Sequence, residues 1–284
     1  MPRSSHLTAP HILPPGRLLY GIDPAERLSA AIVDINTRFH NAAFLIITGD
    51  LAHRGEPAAC GLLNEILSGL KIPVHLGIGN HDGRTAFHRE FPDTPTDAAG
   101  FVQYRFTQSG SGFVMLDSVE DGRSSGFLCP DRLSWAEKTL YSVGGTPALV
   151  FLHHSPVALG IPDLDDIGLR NASDLGKVVE NSGNVKHFVF GHVHRPAIGV
   201  WQGIPFSTQR SLVNQSALNF HRDGGVLDNL EPPTYSVVEL QDSGDIVIHL
   251  HEFMDPSPTF YISGLHAIDE ARNPSDVDGT FTQL

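Results

Sequence analysis

Four short apolar runs in this 284-residue chain each stop on residues able to bind a metal ion. Phe44 to Thr48 leads into Gly49-Asp50, and Val74 to Ile78 leads into Gly79-Asn80-His81-Asp82. Ala148 to Leu152 leads into His153-His154, and Phe188 to Phe190 leads into Gly191-His192-Val193-His194. Continuous apolar runs bounded by turn residues read as buried strands, and in α/β sheets ligands collect beyond the carboxyl ends of strands. The pattern therefore predicts one sheet edge carrying a carboxylate, an amide and several imidazoles.

Between these runs the periodicity changes from that of strands to that of helices. Asp23-Pro24 reads as an N-cap followed by proline at the first helical position, with Leu28, Ile32, Ile35 and Phe39 at helical spacing. Further helices are expected over Pro57 to Leu70, Pro130 to Tyr141 and Asn171 to Glu180, the last capped by Asn171 with Asp174 three residues on. Phe113 to Leu116 reads as another strand. After His194, short strands follow at Gly199 to Trp201, Pro205 to Ser207, Tyr235 to Leu240 and Ile246 to Phe253. The expected fold is α/β, two sheets face to face with helices outside, a four-layer α/β/β/α sandwich over residues 1–254. Residues 255–284, rich in Pro, Ser and Asp, are expected to form a loosely packed tail.

Charge and cysteine content narrow the setting. Nineteen basic against 32 acidic residues give a formal charge of -13, a field that repels long nucleic acid and disfavours a nuclease. A small anion is still acceptable, because bound divalent cations invert the local potential. Two cysteines, Cys60 and Cys129, are too few for a disulfide scaffold. With no apolar leader and no run approaching the ~18 residues of a membrane helix, the expectation is a cytoplasmic protein without membrane attachment.

In this order and spacing, Gly49-Asp50, Gly79-Asn80-His81-Asp82, His153-His154-Ser155-Pro156 and Gly191-His192-Val193-His194 closely resemble the calcineurin-like metallophosphoesterase superfamily. Within it the chain looks most like the class III cyclic nucleotide phosphodiesterases and the bacterial glycerophosphodiesterases, and Leu169-Arg170-Asn171-Ala172 adds to that match. The resemblance runs from about Thr8 to about Asn219. It implies two divalent cations, from Mn, Fe, Zn or Co, bridged by Asp50. One would take Asn80, His153 and His192, and the other His11, His194 and the carboxylate of an amino-terminal Asp-x-His. His81 would act beside Asp50 as the catalytic donor to the leaving alkoxide, and Asn80, His81, His154 and His194 would touch substrate. A hydroxide on the metals would attack a cyclic nucleotide or another small phosphodiester. A homodimer is also implied.

The chain departs from that family pattern at one position. Thr8-Ala9-Pro10-His11 stands where Thr-Asp-Pro-His is expected, so His11 is kept and the carboxylate is lost. The strand that should precede it is poor in apolar residues, with Leu7 as its one large hydrophobic side chain. The first metal position is expected to be weak or empty and activity reduced; the alternative is a degenerate protein that binds metal and a phosphate ligand.

Other residues admit plainer roles. His53 is expected on an exposed loop, Asn171 as a helix cap, His249 and His251 on an exposed strand face, and Asp82 as a support for the Gly-Asn-His loop. His154 is either a support for a ligand or a substrate contact, and Arg170 a candidate to orient a phosphate. Asn214, Gln215 and His221 are placed near the cleft or at a subunit contact.

Overall fold

In the computed structural model, residues 3–222 and 224–258 are described. The chain divides into a unit spanning 1–253 and a short one spanning 254–284, and all that follows concerns the first. Most of the tail expected over 255–284 lies outside the described residues.

Along the chain run β1 (Arg3–Leu7), α1 (Pro24–Arg38), β2 (Leu45–Thr48), α2 (Pro57–Leu67), β3 (Val74–Gly77), α3 (Arg84–Glu90), β4 (Tyr104–Gln108) and β5 (Ser111–Met115). They are followed by α4 (Pro130–Val143), β6 (Ala148–Leu152), α5 (Pro162–Asp165), α6 (Ala172–Ser182), β7 (Val185–Phe190), β8 (Ala197–Trp201) and β9 (Ile204–Thr208). The short β10 (Gln215–Ser216) and β11 (Asp228–Asn229) precede β12 (Tyr235–Leu240) and β13 (Ile246–His251).

Two large sheets result, in the orders β13-β12-β1-β2-β3 and β4-β5-β6-β7-β9-β8. Side-chain alternation along the second sheet shows how the layers stack. Phe113, Met115, Leu149, Phe151 and Val189 join one core with Leu45 and Ile47 of the first sheet, while Val114, Val150, Leu152, Phe188 and Phe190 form another with α4 and α6. Both faces of each central strand are thus covered, which is why these strands read as unbroken apolar runs. The four-layer α/β/β/α arrangement stands.

The elements that position the site are parallel strands. β1, β2 and β3 run parallel in the first sheet, and β5, β6, β7 and β9 in the second, so their carboxyl ends gather on a common edge.

Several expected bounds change. β1 is the central strand of its sheet despite its polar sequence, and the buried His6 finds partners: its Nε2 lies 2.9 Å from Thr48 Oγ1, and the Gln209 amide donates to the His6 carbonyl at 2.8 Å. Helix α2 stops at Leu67 rather than Leu70. Asn171 does not cap α6 through its side chain; its amide instead exchanges hydrogen bonds with the Leu128 backbone at 3.0 and 2.8 Å, pinning a loop. His251 is not on an exposed face, since its Nε2 lies 2.9 Å from Asp34 Oδ2.

Candidate metal centre

Each strand end turns sharply, and the turns carry the polar side chains. Ala9, His11, Asp50, His192 and His194 all adopt positive φ, between 46° and 69°, a region that non-glycine residues seldom occupy and that clusters at functional sites. Gly49 and Gly79 let the chains approach: a Cβ on Gly79 would sit 2.3 Å from Asp50 Oδ1, and one on Gly49 would sit 2.5 Å from the Gly79 nitrogen. No residue with a side chain fits either place.

Asp50, 1% exposed, stands at the centre of the cluster. Its Oδ1 accepts from the His81 backbone N–H at 3.0 Å, while Oδ2 lies 3.2 Å from His153 Nε2 and 3.6 Å from His11 Nε2. On one flank His153 Nε2 is 3.2 Å from Asn80 Oδ1 and 3.1 Å from His192 Nδ1. On the other, His11 Nε2 is 3.0 Å from His194 Nε2. The structure thus brings His11, Asp50, Asn80, His153, His192 and His194 together.

The far side of each ring explains how the near side is aimed. His153 Nδ1 donates to the Thr48 carbonyl at 2.8 Å, His194 Nδ1 to the Asn214 carbonyl at 3.0 Å, and His192 Nε2 to the Ile167 carbonyl at 3.1 Å. A neutral imidazole carries one proton, so each of these rings turns a lone pair toward the cluster. With His153 neutral, its Nε2 and His192 Nδ1 face one another as two acceptors, an arrangement that a shared cation satisfies. Groups of His and Asp able to hold a metal ion occur here as His11 with Asp50 and His194, as His153 with His154 and His192, and as His11 with His53 and His81. The donor set fits divalent cations.

Electrostatics agree with that fit. Burial lowers His192 to about 3 and His194 to about 4, so both are neutral ligand-like rings at physiological pH. Burial opposes ionisation of Asp50, but His153 beside it holds the carboxyl well below the usual range, and Asp50 in turn raises His153 against its own burial. Asp82 is pushed up to about 6 by burial and by Asp50, while accepting from the backbone N–H groups of Leu51, Ala52 and Gly79 at 3.1, 2.8 and 2.8 Å. It ties the two loops together.

Other expected residues fall differently. His53 is half-buried, not on an exposed loop, and its Nδ1 lies 3.3 Å from His11 Nδ1. The loop is drawn inward by an Ile12 to Ala52 bridge. His154 is fully buried beneath the cluster, its Nδ1 2.8 Å from Ser118 Oγ. Arg170 pairs with Glu120, His221 is exposed, and Gln215 is buried against Ser211.

A cavity of about 190 Å³ opens over the cluster, walled by His11, Asp50, His53, Asn80, His81, His192 and His194. Its other walls, among them Tyr20, Ser124, Ile167 and Val226 from loops and Asp228 from β11, are remote from one another in sequence, and no motif marked them.

Comparison with known proteins places this architecture. The calcineurin-like phosphoesterase family model matches residues 13–196, and the chain belongs to that family of hydrolases. A probable cyclic nucleotide phosphodiesterase of Rhodopseudomonas palustris is 41% identical over 257 residues, covering 89% of this chain and 93% of that one. A probable glycerophosphodiester phosphodiesterase of Arcobacter nitrofigilis is 29% identical, covering 89% and 95%. Among solved structures, a dimetal phosphatase from Danio rerio superposes with a TM-score of 0.66 at 14% identity, covering 89% of this chain and 97% of that one, a likeness of fold. Among the described residues, no helix is long and apolar enough to cross a membrane.

Proposed function

We propose that this enzyme hydrolyses cyclic nucleotides, with other small phosphodiesters such as glycerophosphodiesters as the second substrate class, and that Asp50 bridges two divalent cations drawn from Mn, Fe, Zn or Co. Asn80, His153 and His192 would hold one cation, and His11 and His194 the other. The observation that carries this reading is the face-to-face pairing of imidazole lone pairs about Asp50, each aimed by a backbone carbonyl behind it. The relationship at 41% identity favours cyclic nucleotides over the alternative. When bound, the cation pair supplies a nucleophile at neutral pH and neutralises charge on the phosphoryl oxygens.

The protein's own groups do the remaining work. The Asn80 amide, beside His153, presents a neutral oxygen, which avoids further negative charge where a phosphodiester must dock. His81 donates its Nδ1 proton to the His53 carbonyl at 2.7 Å, which fixes the ring and leaves Nε2 as the nitrogen that gives a proton to the departing alkoxide. That step requires the ring to hold protons on both nitrogens.

Ala9 supports a second reading. With a methyl where the family pattern places a carboxylate, the His11–His194 position has one donor fewer, and a protein that binds a single cation and a phosphate ligand without turnover is the competing function. Hydrolysis of 3′,5′-cyclic AMP by Mn²⁺-loaded protein separates the two: release of nucleoside monophosphate above a metal-only blank supports the enzyme, and binding without release supports the alternative. The unpaired thiols Cys60 and Cys129 support a cytoplasmic location. The exposed Ile198, Val200 and Leu250, on the edge strands β8 and β13, support pairing with a second copy.

A further inference from the structure

We infer that His11, His53 and His81 form an all-nitrogen cation site of their own, selective for Zn²⁺, which competes with the Asp50-bridged position for the His11 ring. His11 stands between two sets of partners. Its Nε2 faces Asp50 and His194, whereas its Nδ1 faces His53 Nδ1 at 3.3 Å. Two Zn–N bonds of about 2.1 Å drawn from nitrogens at that separation subtend roughly 104°, close to tetrahedral. His81 supplies the third nitrogen: its Nδ1 is engaged by the His53 carbonyl, which leaves Nε2 free, and one ring nitrogen from each of the three residues lies within 4.8 Å of the other two. The His53 and His81 rings are stacked, 5.0 Å between centroids with 24° between planes, and His11 stands edge-on to both.

A neutral imidazole has one lone pair, so His11 serves one side at a time. Coordination through Nδ1 moves its proton to Nε2, where Asp50 Oδ2 or His194 Nε2 accepts it. In the family pattern a carboxylate at position 9 would hold a cation on the Asp50 side; Ala9 removes that pull, and three imidazoles with no carboxylate favour Zn²⁺ over Mn²⁺. Occupation also takes the lone pair of His81 Nε2. Resting on the role of His81 proposed above, this makes Zn²⁺ an inhibitor.

The experiment is a Zn²⁺ titration of Mn²⁺-loaded full-length protein. Bound Zn²⁺ is measured by mass spectrometry after dialysis, and hydrolysis of 3′,5′-cyclic AMP is followed in parallel, for the natural chain, His53→Gln and His53→Asn. The expected result is one Zn²⁺ equivalent whose affinity falls at least tenfold in both variants, with the midpoint of inhibition rising by the same factor, while melting temperature and the tightest Mn²⁺ equivalent match the natural chain. Zn²⁺ binding of equal stoichiometry and affinity in all three proteins overturns the site. If Zn²⁺ binds in the His53-dependent manner but no cyclic nucleotide is cleaved, the site stands and the phosphodiesterase reading fails.

Discussion

The two flanks of Asp50 differ in how their rings are held and in how many donors they bring. On the β6–β7 flank, His153 meets the carboxylate, Asn80 and His192 meet His153, and both rings are aimed by a carbonyl behind them. On the β1 flank, His11 and His194 meet at 3.0 Å, and Ala9 still adopts φ 50°, a conformation in which aspartate is enriched and alanine is not. The Ala9 N–H still donates to the Gly49 carbonyl at 3.1 Å. The backbone geometry at Ala9 is thus held by the surrounding chain and not by a side chain at that position.

The harshest way to break the comparison is to remove what both flanks share. Asp50→Asn should lower cyclic nucleotide turnover by about 100- to 1000-fold and weaken both cations together, as metal analysis of the purified variant will show. His81→Ala should reduce turnover by about 100-fold or more while leaving metal content intact, which separates proton transfer from metal holding. Ala9→Asp sharpens the contrast from the other direction. It should tighten the weaker cation at least about tenfold and raise turnover, because it restores a carboxylate to a turn already folded for it; an unchanged cation affinity would mean that the β1 flank is not a metal position.

A smaller effect tests packing beneath both flanks. Gly79→Ala forces a methyl into the space of Asp50 Oδ1, and chemical denaturation should register a loss of about 3 kcal/mol. The mildest effect is in pH. His6 and His192, each lowered to about 3, and His194, lowered to about 4, are buried neutral, whereas unfolded histidine titrates near 6.5. Their contribution is therefore present above pH 6.5 and is lost as the pH falls toward 4, because the unfolded chain takes up protons that the folded one resists. Asp82, raised to about 6, acts in the opposite sense: its contribution is present below about 3.8 and fades as pH rises through 6. The melting temperature of metal-free protein should fall steadily from pH 6.5 to 4, the histidines outnumbering the aspartate.

Much of this was legible in the sequence because parallel strands buried on both faces announce themselves as apolar runs, and the residues after them are the site. The two-sheet sandwich, the order of the motifs and the convergence of Asp50, Asn80, His153 and His192 followed from that. β1 was harder to see. Ser4, Ser5 and His6 are buried, but the Thr48 hydroxyl and the Gln209 amide that partner His6 are far away in sequence, so apolar periodicity is silent there. His53 misled for a similar reason: a histidine after Leu51-Ala52 looks like loop surface until the bridge to Ile12 folds it against His11. Tyr20, Ser124 and Asp228 reach the cavity from separate parts of the chain, and no local pattern encodes such a meeting.

The most direct test of the asymmetric centre is a Mn²⁺ titration of the metal-free chain followed by electron paramagnetic resonance, with Ala9→Asp beside it. One tight and one weak equivalent in the natural chain, against two tight, spin-coupled equivalents in Ala9→Asp, is the predicted result. Two equally tight equivalents in the natural chain, or none in either protein, would contradict it.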